Sequence, residues 1–553
     1  MDLGKKVIYQ IYPKSFYDSN NDGIGDLRGI IEKIPYIAKL NIDMIWFNPF
    51  FVSPQHDNGY DIADYYQIDP RFGTMQDFDE LVSKLKDINV DVMLDMVFNH
   101  CSTENKWFQE ALKGNKKYMD YFYLRKAKAN GELPTNWQSK FGGPAWEKFG
   151  DTDLYYLHLF DKSQADLNWH NPDVRKEASN IVNFWRNKGV KGFRFDVLNL
   201  IGKDENLIDS TDPIEEKKLY TDTPIVEKYI KELNRNSFGQ DPNSITVGEM
   251  SSTTIEKSIE YTKPSNDELS MVFAFHHLKV DYKDDNKWTQ KPFDFMQLKQ
   301  VLSKWQTGMD QGDGWQALFW NNHDQPWALS RFGDPINYRE KSAEMLATTL
   351  HLLRGTPYIY MGEEIGMINP HYYSIHNYVD VECLNAYQEL MDAGYSAHEA
   401  FNIIKTKSRD NARVPMHWDA SRNAGFTTGK PWLKPTDQTE INVENELKNG
   451  EIFTYYQKLI KLRKSEELIS DGHFKAELLD HPQVFAYRRY LDHSSKQLLV
   501  LNNFYGYEPW TDIPTDLQGK KATVLIDNYG TKDCITMPDS IKLKPYQSIA
   551  FKF

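Results

Sequence analysis

The chain is poor in cysteine. Its 553 residues include only Cys101, Cys383 and Cys534, odd in number and far apart. They build neither a disulfide framework nor a close-spaced zinc motif, which suits a reducing compartment. Long apolar runs are missing too. No stretch approaches the ~20 residues that cross a bilayer, and the opening MDLGKKVIYQIYP has no leader-like apolar core. Positive charge is in deficit, with a formal net charge of −14, which disfavours nucleic acid or an anionic membrane as partner. No internal repeat or low-complexity tract occurs. These absences lead to the expectation of a cytoplasmic, monomeric protein that acts on a small molecule.

What is present is a large core. Hydrophobic residues make up 40% and aromatics 14%, too apolar for a disordered chain. Eight short apolar runs read as strands: 7–13, 42–49, 91–100, 192–197, 244–250, 269–276, 317–324 and 356–364. Segments of helical periodicity lie between them, such as GIIEKIPYIAKL and YREKSAEMLATTLHLLRG. Apolar strands alternating with helices imply a parallel sheet covered on both faces, and eight units imply an α/β (β/α)8 TIM barrel. Two departures from this rhythm set the domain plan. A Trp-, Tyr- and Gly-rich stretch at 102–171 reads as a domain inserted after strand three. From 475 to 553 short alternating strands predict a C-terminal antiparallel β-sandwich. The barrel is then assigned to 1–101 and 172–474, with a helical excursion near 384–413 over its mouth and a closing helix at 451–464.

The first barrel loop, YDSNNDGIGDLRG, spaces Asp18, Asn20, Asp22 and Asp26 like calcium ligands, with the Ile24 carbonyl in reach. Position twelve of an EF-hand would be Gly29 where a bidentate Glu is needed, and a strand precedes the loop. A helix-loop-helix calcium sensor is thereby disfavoured. A hard cation held in place and a plain polar turn both remain open.

In a parallel barrel the working face lies at the C-terminal strand ends. Here those ends carry Asn99-His100, Arg194-Phe195-Asp196, Glu249 and His323-Asp324. Burying carboxylates without partners costs several kcal/mol each. One such residue would be a structural end group, but the set on one rim reads as an active site. Facing carboxylates suit an oxocarbenium-like transition state, one group ionised and one protonated. Arg194 shares the strand face of Asp196 and would keep it ionised. Glu249 follows the apolar ITVG, where desolvation would keep it protonated.

DMVFNH, GFRFDV, VGEM and NNHD, in this order, resemble the signature regions of the α-amylase superfamily of retaining α-glycoside hydrolases. The resemblance covers essentially the whole chain and implies the barrel, the insert and the sandwich. It assigns Asp196 as nucleophile, Glu249 as general acid/base and Asp324 as transition-state stabiliser. It further implies that Asp61, His100, Arg194 and His323 hold the nonreducing glucose, with Arg409 paired to Asp61. Phe141, Phe160 and Gln164 would wall the pocket. It also favours a structural calcium at Asp18, Asn20, Asp22, Ile24 and Asp26, with no cofactor in the chemistry.

Val197, after the nucleophile, matches the branch that prefers linkages other than α-1,4. HHLKVDYKDDNKW after strand six supplies His276, His277, Lys279, Lys283 and Lys287 in an acidic chain. A phosphate needs that charge more than a sugar hydroxyl does, although the interleaved aspartates also permit a merely solvated loop. HHLKVDY, VGEMSST, ADLNWHNP and QSKFGG are similar to the branch that splits trehalose 6-phosphate into glucose and glucose 6-phosphate. His276, His277, Lys279 and Lys287 are the candidate phosphate contacts for this phosphorylated disaccharide. Trp327 departs from that pattern, which has a basic residue there, and is expected to alter the rim. The alternatives are an oligo-1,6-glucosidase on neutral sugars, a catalytically dead transporter partner and a calcium-binding module.

Overall fold

The computed structural model describes residues 2–531 and 533–553. Eight parallel strands form its centre: β1 (Ile8–Ile11), β2 (Met44–Phe47), β3 (Asp91–Val97), β4 (Gly192–Asp196), β5 (Ile245–Glu249), β6 (Met271–Phe273), β7 (Ala317–Leu318) and β8 (Thr356–Tyr360). Their order in the sheet is β6-β5-β4-β3-β2-β1-β8-β7, and a parallel bridge between Val272 and Gln316 closes the ring. Each strand is short and almost wholly buried, because side chains fill the inside and helices cover the outside.

Local signals explain the helix ends. Helix 75–87 begins at a reciprocal Thr74–Asp77 capping box, and helix 172–187 follows an Asn171 cap with Pro172 in its first turn. Helix 339–351 is buried on nearly all sides, since it lies between the barrel and the C-terminal sheet. That sheet has six strands, running from His473–Glu477 to Ser548–Lys552, faced by the pair Trp510–Asp512 and Ser540–Lys542. Between them lies a separate apolar core that includes Leu499, Ile513, Leu543 and Phe551. Buried cations tie this domain to the barrel. Lys299 donates to three carbonyls of the 478–484 turn, and Arg489 donates to Leu352 O at 2.7 Å.

Most strands end earlier than the sequence reading, and at two of them this sets pocket residues beyond the sheet. Strand β3 stops at Val97, and His100–Ser102 pairs instead with Gln164–Asp166 at the root of the inserted domain. Strand β7 stops at Leu318. Beyond it, Asn321 Oδ1 accepts from Ala328 N and Asn322 Oδ1 accepts from Asp324 N. These local side-chain bonds compete with the sheet ladder and set His323 and Asp324 on a fixed loop.

The loop after β1 is tied down by its own aspartates. Asp18 accepts from Asn20 N, Asn21 N and Gly23 N at 3.1, 2.7 and 2.8 Å, and Asp26 caps the next helix through Gly29 N. Gly23 has φ +93° and lies against the carbonyl of Lys430, which a Cβ would strike, while Trp432 N donates to Gly23 O. The loop thus clamps the chain start to the segment after β8. Asp18→Ala should lower the thermal midpoint, because each buried N–H left unsatisfied costs about 1–3 kcal/mol. Calorimetry with a parallel rate assay checks this, and an unchanged midpoint would refute the clamp.

Candidate active site

The floor of the barrel mouth is built around one guanidinium. Arg194 is 1% exposed. Its Nη1 donates to Asp95 Oδ1 at 2.8 Å and Asp196 Oδ1 at 2.6 Å, and its Nη2 donates to Glu249 Oε2 at 2.5 Å. Strand register explains the convergence: Arg194 pairs with Asp95 on β3 and Val247 on β5, so Glu249 lies two residues further along the same face. One positive charge among three buried carboxyls leaves a proton to be held.

Glu249 holds it. Burial raises its pKa, Arg194 opposes, and the charges of Asp196 and Asp324 push it further up, to about 8. Burial also raises Asp196, opposed mainly by Arg194, but only to about 6. Both carboxyls are held by the same guanidinium, which sets them side by side at the mouth. At Asp324 burial is outweighed by His323, Arg409 and Arg413, which hold it well below the usual carboxylate range. Arg413 Nη2 reaches it at 2.8 Å.

The pocket has a volume of about 270 Å³, small beside the ~300–1,000 Å³ of ordinary ligand pockets, which fits a short substrate. Asp57, Tyr60, His100, Phe141, Phe160, Asp196, Glu249, Asp324 and Arg409 all line it. Phe141 and Phe160 meet edge to face at 5.6 Å, and the Arg409 guanidinium lies 5.0 Å over Phe141. Arg194 and His323 lie beneath. His323 Nε2 is 3.2 Å from Asp324 Oδ2, and its ring stacks on Tyr60.

Several expectations need correction. Asp61 is not a pocket residue. It is fully buried and accepts from Ser53 Oγ, His56 N and Asp57 N within its own loop. Arg409 reaches Asp57 instead, at 3.1 Å, beside a shorter pair with Asp380 at 2.5 Å, and burial raises the pKa of Asp57 to about 7. Gln164 stands behind the wall, where Nε2 donates to Asp57 Oδ2 at 3.0 Å. His276 and His277 turn away from the pocket: His276 packs on Trp305, and His277 bonds Phe319 O. A 3-10 turn at His276–Leu278 rotates both off the rim. Trp327 is 1% exposed and donates to Asn411 O, so it shapes no rim. Of the calcium set, Asp18 Oδ1 and Asp26 Oδ1 each already accept two hydrogen bonds. Among the described residues no three acidic, His or Cys side chains form a metal-holding group. Asp18, Asn20, Asp22, Ile24 and Asp26 all lie on the one loop after β1, where a structural calcium remains the expectation.

Other pocket residues escaped the sequence reading. Asp57 and Tyr60 were in view within HDNGYD, one turn before the aspartate chosen. Arg413 shares KSRDNAR with Arg409, and the short helix Asp410–Arg413 aims both at Asp324. Lys140 and Tyr282, within QSKFGG and HHLKVDY, also line the pocket, as does Glu382, which sits in a segment with no motif of its own.

A family model of the α-amylase catalytic domain matches residues 10–472, and one of the alpha-amylase SusG C-terminal domain matches 484–550. The chain belongs to the α-amylase family. It is 48% identical, over 99% of its length and 97% of the relative, to a trehalose-6-phosphate hydrolase of Bacillus subtilis (strain 168). An oligo-1,6-glucosidase of Bacillus cereus is 45% identical, with 99% and 98% covered. The crystal structure of Bacillus licheniformis trehalose-6-phosphate hydrolase matches with a TM-score of 0.94 at 49% identity, covering 100% of this chain and 99% of that one. In this α-amylase family member the barrel mouth is thus the seat of a glycoside hydrolase.

The acid–base order has a direct kinetic consequence. kcat/KM should rise as Asp196 ionises through about pH 6 and fall as Glu249 loses its proton through about pH 8. A pH–rate profile checks both limbs. Glu249→Gln should abolish the alkaline limb together with roughly 10²–10⁴-fold of the rate. An alkaline limb that survives in this variant would remove Glu249 as the acid.

Proposed function

We propose that the chain hydrolyses trehalose 6-phosphate to glucose and glucose 6-phosphate, with retention, through a covalent glucosyl–Asp196 intermediate. Glu249 donates its proton to the glycosidic oxygen while Asp196 Oδ attacks the anomeric carbon, the bond between that carbon and that oxygen breaks, and glucose 6-phosphate leaves. Water then attacks that carbon and displaces Asp196 as the carboxylate, while Glu249, now ionised, takes the proton of the water and is restored. Arg194 keeps Asp196 available as an anion, and Asp324, held ionised by Arg409 and Arg413, grips sugar hydroxyls. Asp57, His100 and Arg409 bind the nonreducing glucose between Phe141 and Phe160. The acid and the nucleophile together supply the chemistry, and no step runs through a metal. We place the activity in the cytoplasm, where a phosphorylated disaccharide resides; among the described residues no helix is long and apolar enough to cross a membrane.

The observation that carries the phosphate is a group of lysines at the pocket. Lys140, Lys279 and Lys287 all line it. Lys287 is compensated by Glu382 at 2.7 Å. Lys279 has no carboxylate partner among the described residues. Its pKa is lowered by desolvation and then by the charge of Lys217. The same two causes lower Lys140, to about 8; it is exposed by area but crowded by neighbours. Lys140 and Lys279, neighbouring cations with no carboxylate partner among the described residues, suit a dianion.

The second reading, an oligo-1,6-glucosidase, is favoured by the 45% identity to the Bacillus cereus enzyme. The two separate on substrate preference. Each charge-assisted bond to phosphate is worth about 1.5–3 kcal/mol, so Lys279→Ala should cut kcat/KM on trehalose 6-phosphate by roughly 10–100-fold. The rate on trehalose should barely change, and Lys287→Ala should have the smaller effect. Steady-state kinetics on trehalose 6-phosphate, trehalose and isomaltose decide it. Equal rates on trehalose and its phosphate would leave the glucosidase reading.

A further inference from the structure

Lys203 follows the nucleophile strand by seven residues, is fully buried and lines no pocket described above. All three of its ammonium protons are spoken for: Nζ contacts Asp166 Oδ2 at 2.8 Å, Asn99 Oδ1 at 2.8 Å and Leu200 O at 2.7 Å. An ammonium only donates. The Asn99 atom facing it must be the amide oxygen, which orients the amide without reference to any other contact.

The other end of that amide then carries two N–H groups. Asn99 Nδ2 is 3.4 Å from Asp166 Oδ2 and 3.1 Å from His100 Nδ1. The first is an acceptor, so the second N–H points at the imidazole and Nδ1 must be the bare nitrogen. Burial lowers the pKa of His100 to about 4, so the neutral ring carries its single proton on Nε2. The far side agrees independently. His100 Nε2 lies 3.2 Å from Tyr60 O, which can only accept. Gln164, its amide oriented by Asp161 N donating to Oε1, brings Nε2 to 3.3 Å of the ring, but both N–H groups of that amide have acceptors in Asp57 Oδ2 and Tyr60 O.

We propose that Lys203 is a positioning residue for the sugar pocket: its contact with Asn99 fixes the amide orientation that confines the His100 proton to Nε2, where it is donated to Tyr60 O. The polar chain Asp166–Lys203–Asn99–His100 therefore ends on the backbone of Tyr60, which lines the pocket together with Asp57, and fixes that stretch of its wall. The effect on sugar binding rests on reading this pocket as the glucose site; the tautomer does not.

Nitrogen NMR of the full-length enzyme labelled with 15N-histidine tests the two parts separately. The His100 signals are assigned by their loss in His100→Gln. In the unliganded wild type, His100 Nδ1 should resonate as a bare, pyridine-like nitrogen and Nε2 as a protonated one. Asn99→Asp replaces the N–H with an acceptor and should move the proton to Nδ1. Asp166→Asn combined with Lys203→Met removes the charge pair together, leaves no lone buried ion, and should give both tautomers. In each variant kcat/KM on 4-nitrophenyl glucoside should fall roughly three- to tenfold, as for one lost hydrogen bond that holds the pocket wall. A wild-type proton on Nδ1 overturns the proposal. So does a single unchanged tautomer in both Asn99→Asp and the double variant. Shifted tautomers with unchanged kinetics would uphold the orientation and sink the part assigned to sugar binding. Should the double variant fail to fold, the wild-type and Asn99→Asp spectra decide.

Discussion

One guanidinium among three carboxyls governs this active site. Arg194 contacts Asp95, Asp196 and Glu249 at once, all beneath the barrel mouth and out of water. A single positive charge cannot balance three negative ones in a low-dielectric floor, so protons must remain. Desolvation places one on Glu249, the carboxyl further burdened by Asp196 and Asp324. The same charge imbalance thus creates a general acid and leaves an anionic neighbour beside it. Val197, next to Asp196, is β-branched yet sits at φ 36°, a strained conformation held by the surrounding packing. Its N–H donates to Glu249 at 3.3 Å, which joins the backbone turn after the nucleophile to the acid.

A second charge group completes the mouth from the opposite side of the chain. Arg409 and Arg413 stand one helical turn apart and share Asp380 and Asp324. Asp57 pairs with Arg409 as well. These guanidiniums counter the acids that Arg194 does not reach, and they hold Asp324 ionised while Glu249 stays protonated. The inserted domain and the helical excursion meet above them, where Asn385 Nδ2 donates to Phe141 O. Two segments remote in sequence therefore close the pocket that the barrel strands floor.

Much of the fold was legible because it rests on local patterns. Eight apolar runs separated by helical periods gave the barrel, and a change to short alternating strands gave the C-terminal sheets. The catalytic carboxylates were legible for the same reason: each directly ends a strand or follows one, and a parallel barrel brings all such ends to one rim. Asp61 shows where this reasoning fails. HDNGYD offers two aspartates four residues apart, and only the fold of the loop turns Asp57 outward to Arg409 and Asp61 inward to its own backbone. His276 and His277 fail likewise, since a single 3-10 turn decides which side of the rim a residue faces.

The sequence alone determined the barrel, the stretch between strands three and four, the placing of Asp196, Glu249 and Asp324 at or just beyond strand ends, and the presence of lysines after strand six. These depend on periodicity and on strand ends, which neighbouring residues specify. Tertiary structure alone decided which aspartate meets Arg409, which lysine is left uncompensated, and which nitrogen of His100 carries the proton. Those outcomes depend on partners up to several hundred residues away, and on the charge that each partner brings into a site closed to water.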